Sequence, residues 1–230
     1  MNYVTLNNGI QMPMVGYGVF EIPAEQTARC VFDALETGYR LIDTAQAYYN
    51  EKEVGDGIQR GIQELGIRRE DIFLTTKVWV TEFGYKKTKA SVEESLRKLQ
   101  TDYLDLVLIH QCLSDYYGAY RALEDLYNEG KIRAIGISNF SAERMADIAT
   151  FNRIIPAVNQ VETHLFWQQY DLHEWMEKYN IRHEALSCAD VSGVSVSDTL
   201  CISVSTLASD VSSITEAVSE TDTASVAFSA

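Results

Sequence analysis

An acid, a phenol, a lysine and a histidine are spread along the first half of this chain: Asp43, Tyr48, Lys77 and His110. Asp43 follows Leu41-Ile42, Lys77 follows Leu74-Thr75-Thr76 and His110 follows Leu106-Val107-Leu108-Ile109, runs whose burial penalises a polar group at their end. Their chemistries are complementary. A phenol with a pKa near ~10 is a poor proton donor or acceptor at neutral pH. A neighbouring ammonium favours tyrosinate and lowers that pKa. A carboxylate paired with the ammonium keeps it charged and oriented, and an imidazole can hydrogen-bond a carbonyl oxygen and place it. Together the four would polarise a carbonyl and protonate the resulting alkoxide. Side chains cannot supply the missing hydride, so a nicotinamide cofactor is implied. Ser138, Asn139 and Gln160 are hydroxyl and amide groups of the kind that hold a carboxamide.

Such an assembly needs strands whose ends converge. Turn residues Asn7-Asn8-Gly9 between Tyr3–Leu6 and Ile10–Met14 predict an opening β-hairpin. Beyond it, short apolar runs alternate with helical patterns at a period of roughly 30 residues, the size of a βαβ unit. Strands are expected at Val15–Phe20, Arg40–Asp43, Ile72–Lys77, Leu104–His110, Ile132–Asn139, Val158–Val161 and from Ile181 to Ala185. Helices are expected at Ala24–Thr37, Glu51–Leu65, Lys86–Leu99, Tyr116–Asn128, Ser141–Phe151 and Gln168–Tyr179. This alternation indicates an α/β fold with a parallel sheet, and repeated right-handed crossovers close naturally into a (β/α)8 TIM barrel. No GxGxxG follows a strand, which weighs against a doubly wound sheet. Asp43, Lys77, His110, Ser138 with Asn139, and Gln160 all stand at strand exits. Taken alone, Asp43 reads equally well as a group satisfying the backbone at a helix start. Five polar exits in succession favour one shared site.

Composition bounds the rest. The 230 residues are 46% hydrophobic and 23% charged, as in a soluble globular protein. A net charge of -14 argues against nucleic acid or an anionic membrane surface as partner. Cys30, Cys112, Cys188 and Cys201 show no metal-ligand spacing. The N-terminal residues lack the pattern of a signal peptide, and no run is long enough to span a bilayer. A cytoplasmic, monomeric protein acting on a small-molecule carbonyl substrate is expected.

Gly38-Tyr39-Arg40-Leu41-Ile42-Asp43-Thr44-Ala45, Lys77, His110, Gly136-Ile137-Ser138-Asn139-Phe140 and Asn159-Gln160-Val161-Glu162 resemble the aldo-keto reductase superfamily, in particular bacterial reductases similar to 2,5-diketo-gluconate reductase. The resemblance runs from about residue 3 to 185. It implies a (β/α)8 barrel that reduces aldehydes or ketones with NADPH. By that resemblance Tyr48 is the general acid, Lys77 and Asp43 tune it, and His110 orients the substrate. Ser138, Asn139 and Gln160 then hold the nicotinamide carboxamide, Val19 and Phe20 contact its ribose, and Trp79 walls the substrate pocket.

After Ala185 the character of the chain changes. Residues 186–230 contain no Lys, Arg, Pro, Tyr or Trp, and 12 of the 45 are Ser. Leu186 takes the place where the resembled family has an aromatic that stacks on the nicotinamide, and Cys188 that of a proline. The family's basic anchor for the adenosine 2′-phosphate has no counterpart. The chain therefore divides into a barrel, 1–185, and a non-matching Ser-rich tail, 186–230, as a frame change or a truncation with appended sequence would produce. The barrel is expected to stop at six or seven strands and leave two unpaired edges. Two alternatives to a working reductase follow: a catalytically impaired one, and a non-catalytic binding module derived from the barrel.

Overall fold

In the computed structural model the expected alternation becomes a run of strand–helix units. The structure describes residues 1–188 and 201–205. Strands β1 (Tyr3–Thr5) and β2 (Gln11–Pro13) pair antiparallel. Gly9 turns the chain between them with a φ of 86°, a value that costs glycine little. Then follow β3 (Val15–Gly18), α1 (Ala24–Thr37), β4 (Leu41–Asp43) and α2 (Glu51–Leu65). Next come β5 (Phe73–Val78), α3 (Tyr85–Leu99), β6 (Leu106–Ile109) and α4 (Tyr116–Asn128). The series ends with β7 (Ile135–Ser138), α5 (Ala142–Phe151), β8 (Val158–Glu162), α6 (Tyr170–Lys178), β9 (Arg182–Cys188) and β10 (Cys201–Ser205). No helix among the described residues is long and apolar enough to cross a membrane.

The strands β3 to β9 pair parallel, each with the next in the chain, forming a curled sheet of seven. Helix α1 shows why the outer layer forms. Its buried residues Thr27, Val31, Ala34 and Leu35 recur at helical spacing and face the sheet. Gly38, at φ 107°, ends the helix. The main core lies between sheet and helices and includes Val31, Leu35, Ile42, Leu74, Val107, Leu123 and Ile137. Fully burying each such side chain stabilises the fold by about 1.5–3 kcal/mol. A second cluster, with Val4, Leu6, Met12, Leu41, Phe73, Leu106 and Leu108, lies where the hairpin covers the opposite end of the barrel. Asn7 and Asn8 fasten the hairpin there by donating to the carbonyls of Pro156 and Arg133, each at 2.9 Å.

The closing edge differs from the expectation of two free edges. The backbone of β10 lies between β9 and β3, antiparallel to both, and completes a closed barrel. A sheet edge presents a row of unpaired N–H and C=O groups, a template for any extended segment. Cys201-Ile202-Ser203-Val204-Ser205 alternates small polar and β-branched residues, a composition compatible with a strand. Its opposite direction distinguishes it from an eighth βα unit. Residues 191–196, whose Val-Ser alternation also suits an edge strand, lie outside the described residues.

Candidate active site

The strand register brings the polar residues into one interior layer. Side chains alternate between the two faces of a strand, and paired residues share a face. Asp43 pairs with Thr75, so Lys77, two residues on, faces inward with it. Lys77 pairs with Leu108, which puts His110 on the same face, and Leu108 pairs with Gly136, which does the same for Ser138. Ser138 pairs with Gln160, and Gln160 with Glu184. The interior is tight below this layer: a Cβ at Gly136 would lie 2.4 Å from Leu108 Cδ2 and 2.9 Å from the Val158 carbonyl oxygen.

Lys77 is 0% exposed. Its ammonium donates to Asp43 Oδ1 and Oδ2 at 2.7 and 2.8 Å, to the Thr44 carbonyl at 3.1 Å and to Tyr48 Oη at 3.2 Å. Burial works against this charge, but Asp43 and Tyr48 outweigh it and hold the lysine above its ordinary pKa. Tyr48 arrives on a short 3-10 turn, Gln46–Tyr48, between β4 and α2. Asn50 behind it shapes the turn, accepting from Thr44 Oγ1 at 3.1 Å and donating to the Val19 carbonyl at 3.0 Å. The bland reading of Asp43, a group serving only a helix start, is thereby set aside.

His110 lies beside the phenol, with ring centroids 5.8 Å apart. Burial, then the charge of Lys77, pushes its imidazole down to about 3, so it is neutral at physiological pH with a single N–H to donate. Its Nδ1 is buried without a hydrogen-bond partner among the described residues. Trp79, half-buried, packs edge-on against His110 at 4.9 Å, and Phe20 packs on Tyr48 at 5.0 Å. These rings form an aromatic rim around the Tyr48 hydroxyl and His110. Val19 is fully buried, while Phe20 remains exposed.

Asn139 leaves β7 at a left-handed φ of 62° and donates to the His110 carbonyl at 3.1 Å and to Ser138 Oγ at 3.2 Å. Gln160 is fully buried, and its Nε2 donates to Asp43 Oδ2 at 3.3 Å. Its amide is thus turned toward the acid, although Ser138 and Asn139 stand beside it at the strand ends. Leu186 is half-buried on β9, its carbonyl accepting from Thr163 N–H at 3.3 Å. Attention to strand exits missed Glu184, which is fully buried in the same layer. The available signal was an acid in Ile181–Ala185, a segment otherwise read as a strand. No group of three or more His, Cys, Asp or Glu among the described residues is arranged to hold a metal.

Residues 14–188 match the model of the Aldo/keto reductase family. The chain is 48% identical over 185 residues to the uncharacterized oxidoreductase YtbE of Bacillus subtilis, and 45% identical over 186 residues to a glyoxal reductase of the same organism. Each match takes in 80% of this chain and 66% of the relative, so the chain spans slightly less than two thirds of those proteins. It also superposes on a Bombyx mori aldo-keto reductase solved in complex with NADP, with a TM-score of 0.78 at 31% identity, covering 81% of this chain and 66% of that one. The family match, the parallel sheet and the inward polar layer agree: the chain belongs to the aldo/keto reductase family.

Proposed function

We propose that the barrel mouth reduces small aldehydes or ketones to alcohols with NADPH, using Tyr48 as the proton donor. The observation that most supports this reading is the Lys77 ammonium, clamped by both Asp43 oxygens and 3.2 Å from Tyr48 Oη. Bound NADPH would supply a hydride to the carbonyl carbon. Tyr48 gives its proton to the carbonyl oxygen, and the charge left on the phenolate meets the Lys77 ammonium. Asp43 keeps that ammonium in place. Neutral His110 donates its N–H to the same carbonyl oxygen and sets its direction. Trp79 and Phe20 shield the reacting group from water, Trp79 as the substrate-pocket wall.

The residues fit one end of the cofactor. Gln160 Oε1 is a buried acceptor with no partner among the described residues, suited to a carboxamide N–H, and Ser138 and Asn139 stand beside it. Val19 and Phe20 would border the ribose. The other end fits poorly: no Lys or Arg follows Arg182 in the sequence, and a phosphate site needs such groups. That observation favours a second reading, a reductase impaired by weak cofactor binding. Titrating the protein into NADPH while following nicotinamide fluorescence, then adding glyoxal, separates the readings. Binding followed by aldehyde-dependent NADPH oxidation supports the first. Oxidation only at high NADPH supports the second, and binding without turnover indicates a non-catalytic module.

The division into a family-like part, 1–185, and an appended segment, 186–230, whose residues complete β9 and supply β10, is part of the same reading. A coding sequence that stays in frame against close relatives through codon 186 would sink the frame-change origin. The reading also takes the protein as a cytoplasmic monomer, which sedimentation of the purified protein and fractionation of cells test.

A further inference from the structure

Glu184 is a buried acid that the proposed chemistry leaves unused. It sits on β9 directly across from Gln160 and is 0% exposed. Neither of its carboxyl oxygens meets hydrogen-bond geometry with a described group, although the Gln160 amide lies beside it. Gln160 is itself half satisfied. Its Nε2 donates to Asp43 Oδ2, while its Oε1 is buried without a described partner. An ionised Glu184 would add two acceptors to a site that already holds an orphan acceptor, an arrangement that costs free energy on every atom. One proton on the carboxyl removes its charge and one of the surplus acceptors.

We propose that Glu184 is a positioning residue that works in its protonated form, which leaves the Gln160 NH2 group to Asp43 instead of drawing it across to a second carboxylate. The chain of contacts then runs from Glu184 through Gln160, Asp43 and Lys77 to Tyr48. With Nε2 on Asp43, Gln160 Oε1 stays available to a carboxamide N–H. The surroundings favour the neutral acid. Burial first, and then repulsion from Asp43 on β4, pushes the carboxyl up to about 8, against the opposing pull of Lys77 on β5 and of Gln160 on β8. The paired segment Cys201–Ser205 contains no acidic or basic side chain that would oppose this. Once ionised, Glu184 attracts the Gln160 NH2, which turns away from Asp43 and presents Oε1 to it instead. The new carboxylate also competes with Asp43 for Lys77.

The consequence for turnover rests on the carbonyl-reductase reading, but the first test does not. Infrared difference spectra of the wild type against Glu184→Gln at pH 6.5 should show an un-ionised carboxyl band present only in the wild type. That band should fade as the pH is raised through about 8. Glu51, whose carboxyl burial also pushes upward, is common to both proteins and cancels. A Glu184 carboxyl already ionised at pH 6.5 overturns the proposal. Should Glu184→Gln not fold, carboxyl-labelled glutamate in the wild type, followed by NMR, reports the same titration.

The second readout is the pH profile of glyoxal reduction. Wild-type kcat should fall about tenfold per pH unit above the Glu184 titration, as for any group required in its protonated form. Glu184→Gln is uncharged at every pH and should lack that limb. An identical alkaline limb in both proteins overturns the positioning role. If no protein turns over, the reductase reading fails while the carboxyl band still decides the state of Glu184.

Discussion

Asp43 and Glu184 lie in the same interior layer, both almost wholly shut off from water, and are treated in opposite ways. On the β4–β5 side the acid meets an ammonium from the adjacent strand, and the pair is joined by two hydrogen bonds of 2.7 and 2.8 Å. On the β8–β9 side the acid faces an amide across the strand register, and burial drives it toward neutrality. A buried carboxylate needs a cation and full hydrogen bonding, or else it keeps its proton. The contrast extends to the sheet itself. The β4–β6 side consists of parallel strands with helices outside, while β9 is completed by an antiparallel strand from the Ser-rich segment. The buried ion pair thus lies on the all-parallel side of the barrel, and the strand of opposite direction on the other.

The comparison can be broken most sharply at Tyr48. Tyr48→Phe should lower aldehyde-dependent NADPH oxidation by about 10²–10⁴-fold, the usual worth of a positioned general acid, while leaving NADPH fluorescence binding intact. A loss below threefold would move the proton donor elsewhere. Lys77→Met comes next. It leaves Asp43 buried without its cation, and urea unfolding should show a loss of about 3–5 kcal/mol. A change under 1 kcal/mol would mean that the paired side is no more dependent on its partner than the Glu184 side.

A smaller effect should appear in acid. Burial, then Lys77, holds His110 down to about 3, and burial, then His173, holds His183 down to about 4. Both have folded values below the ordinary 6.5, so the unfolded chain takes up these protons first. Their stabilising contribution is therefore complete above about pH 6.5 and is lost as the pH falls through 4 and then 3. Thermal melts of His183→Gln should show a shallower decline in Tm between pH 6.5 and 4 than the wild type; parallel declines would remove His183 from the account. The smallest effect is expected at the surface. Lys52 and Asp56 form an exposed pair at 2.7 Å on α2, and Lys52→Ala should leave the urea midpoint unchanged within error. A clear shift there would blur the line drawn between buried and exposed charge.

Much of this was readable from the chain. The hairpin, the helix α1 at Ala24–Thr37 and the inward placement of Asp43, Lys77 and His110 follow from turn residues, periodicity and polar groups ending apolar runs. Glu184 was not readable in the same way. An acid inside a short strand stands equally well on either face until the register to Gln160 is set, and a shift of one residue would expose it. The same holds for Gln160, whose amide type is visible in the sequence but whose choice of Asp43 is not.

The sequence by itself determined the order of the parallel strands and their helices, the family and the titratable residue types at hand, because these depend on local periodicity and residue type. Only the tertiary structure decided which buried charges are paired, that Gln160 turns toward Asp43, and that an antiparallel strand completes the barrel. Those outcomes depend on distances between residues far apart in the chain: 34 positions separate Lys77 from Asp43, and 117 separate Gln160 from it. Burial raises the energetic stakes of each contact, but strand register alone sets which contacts exist.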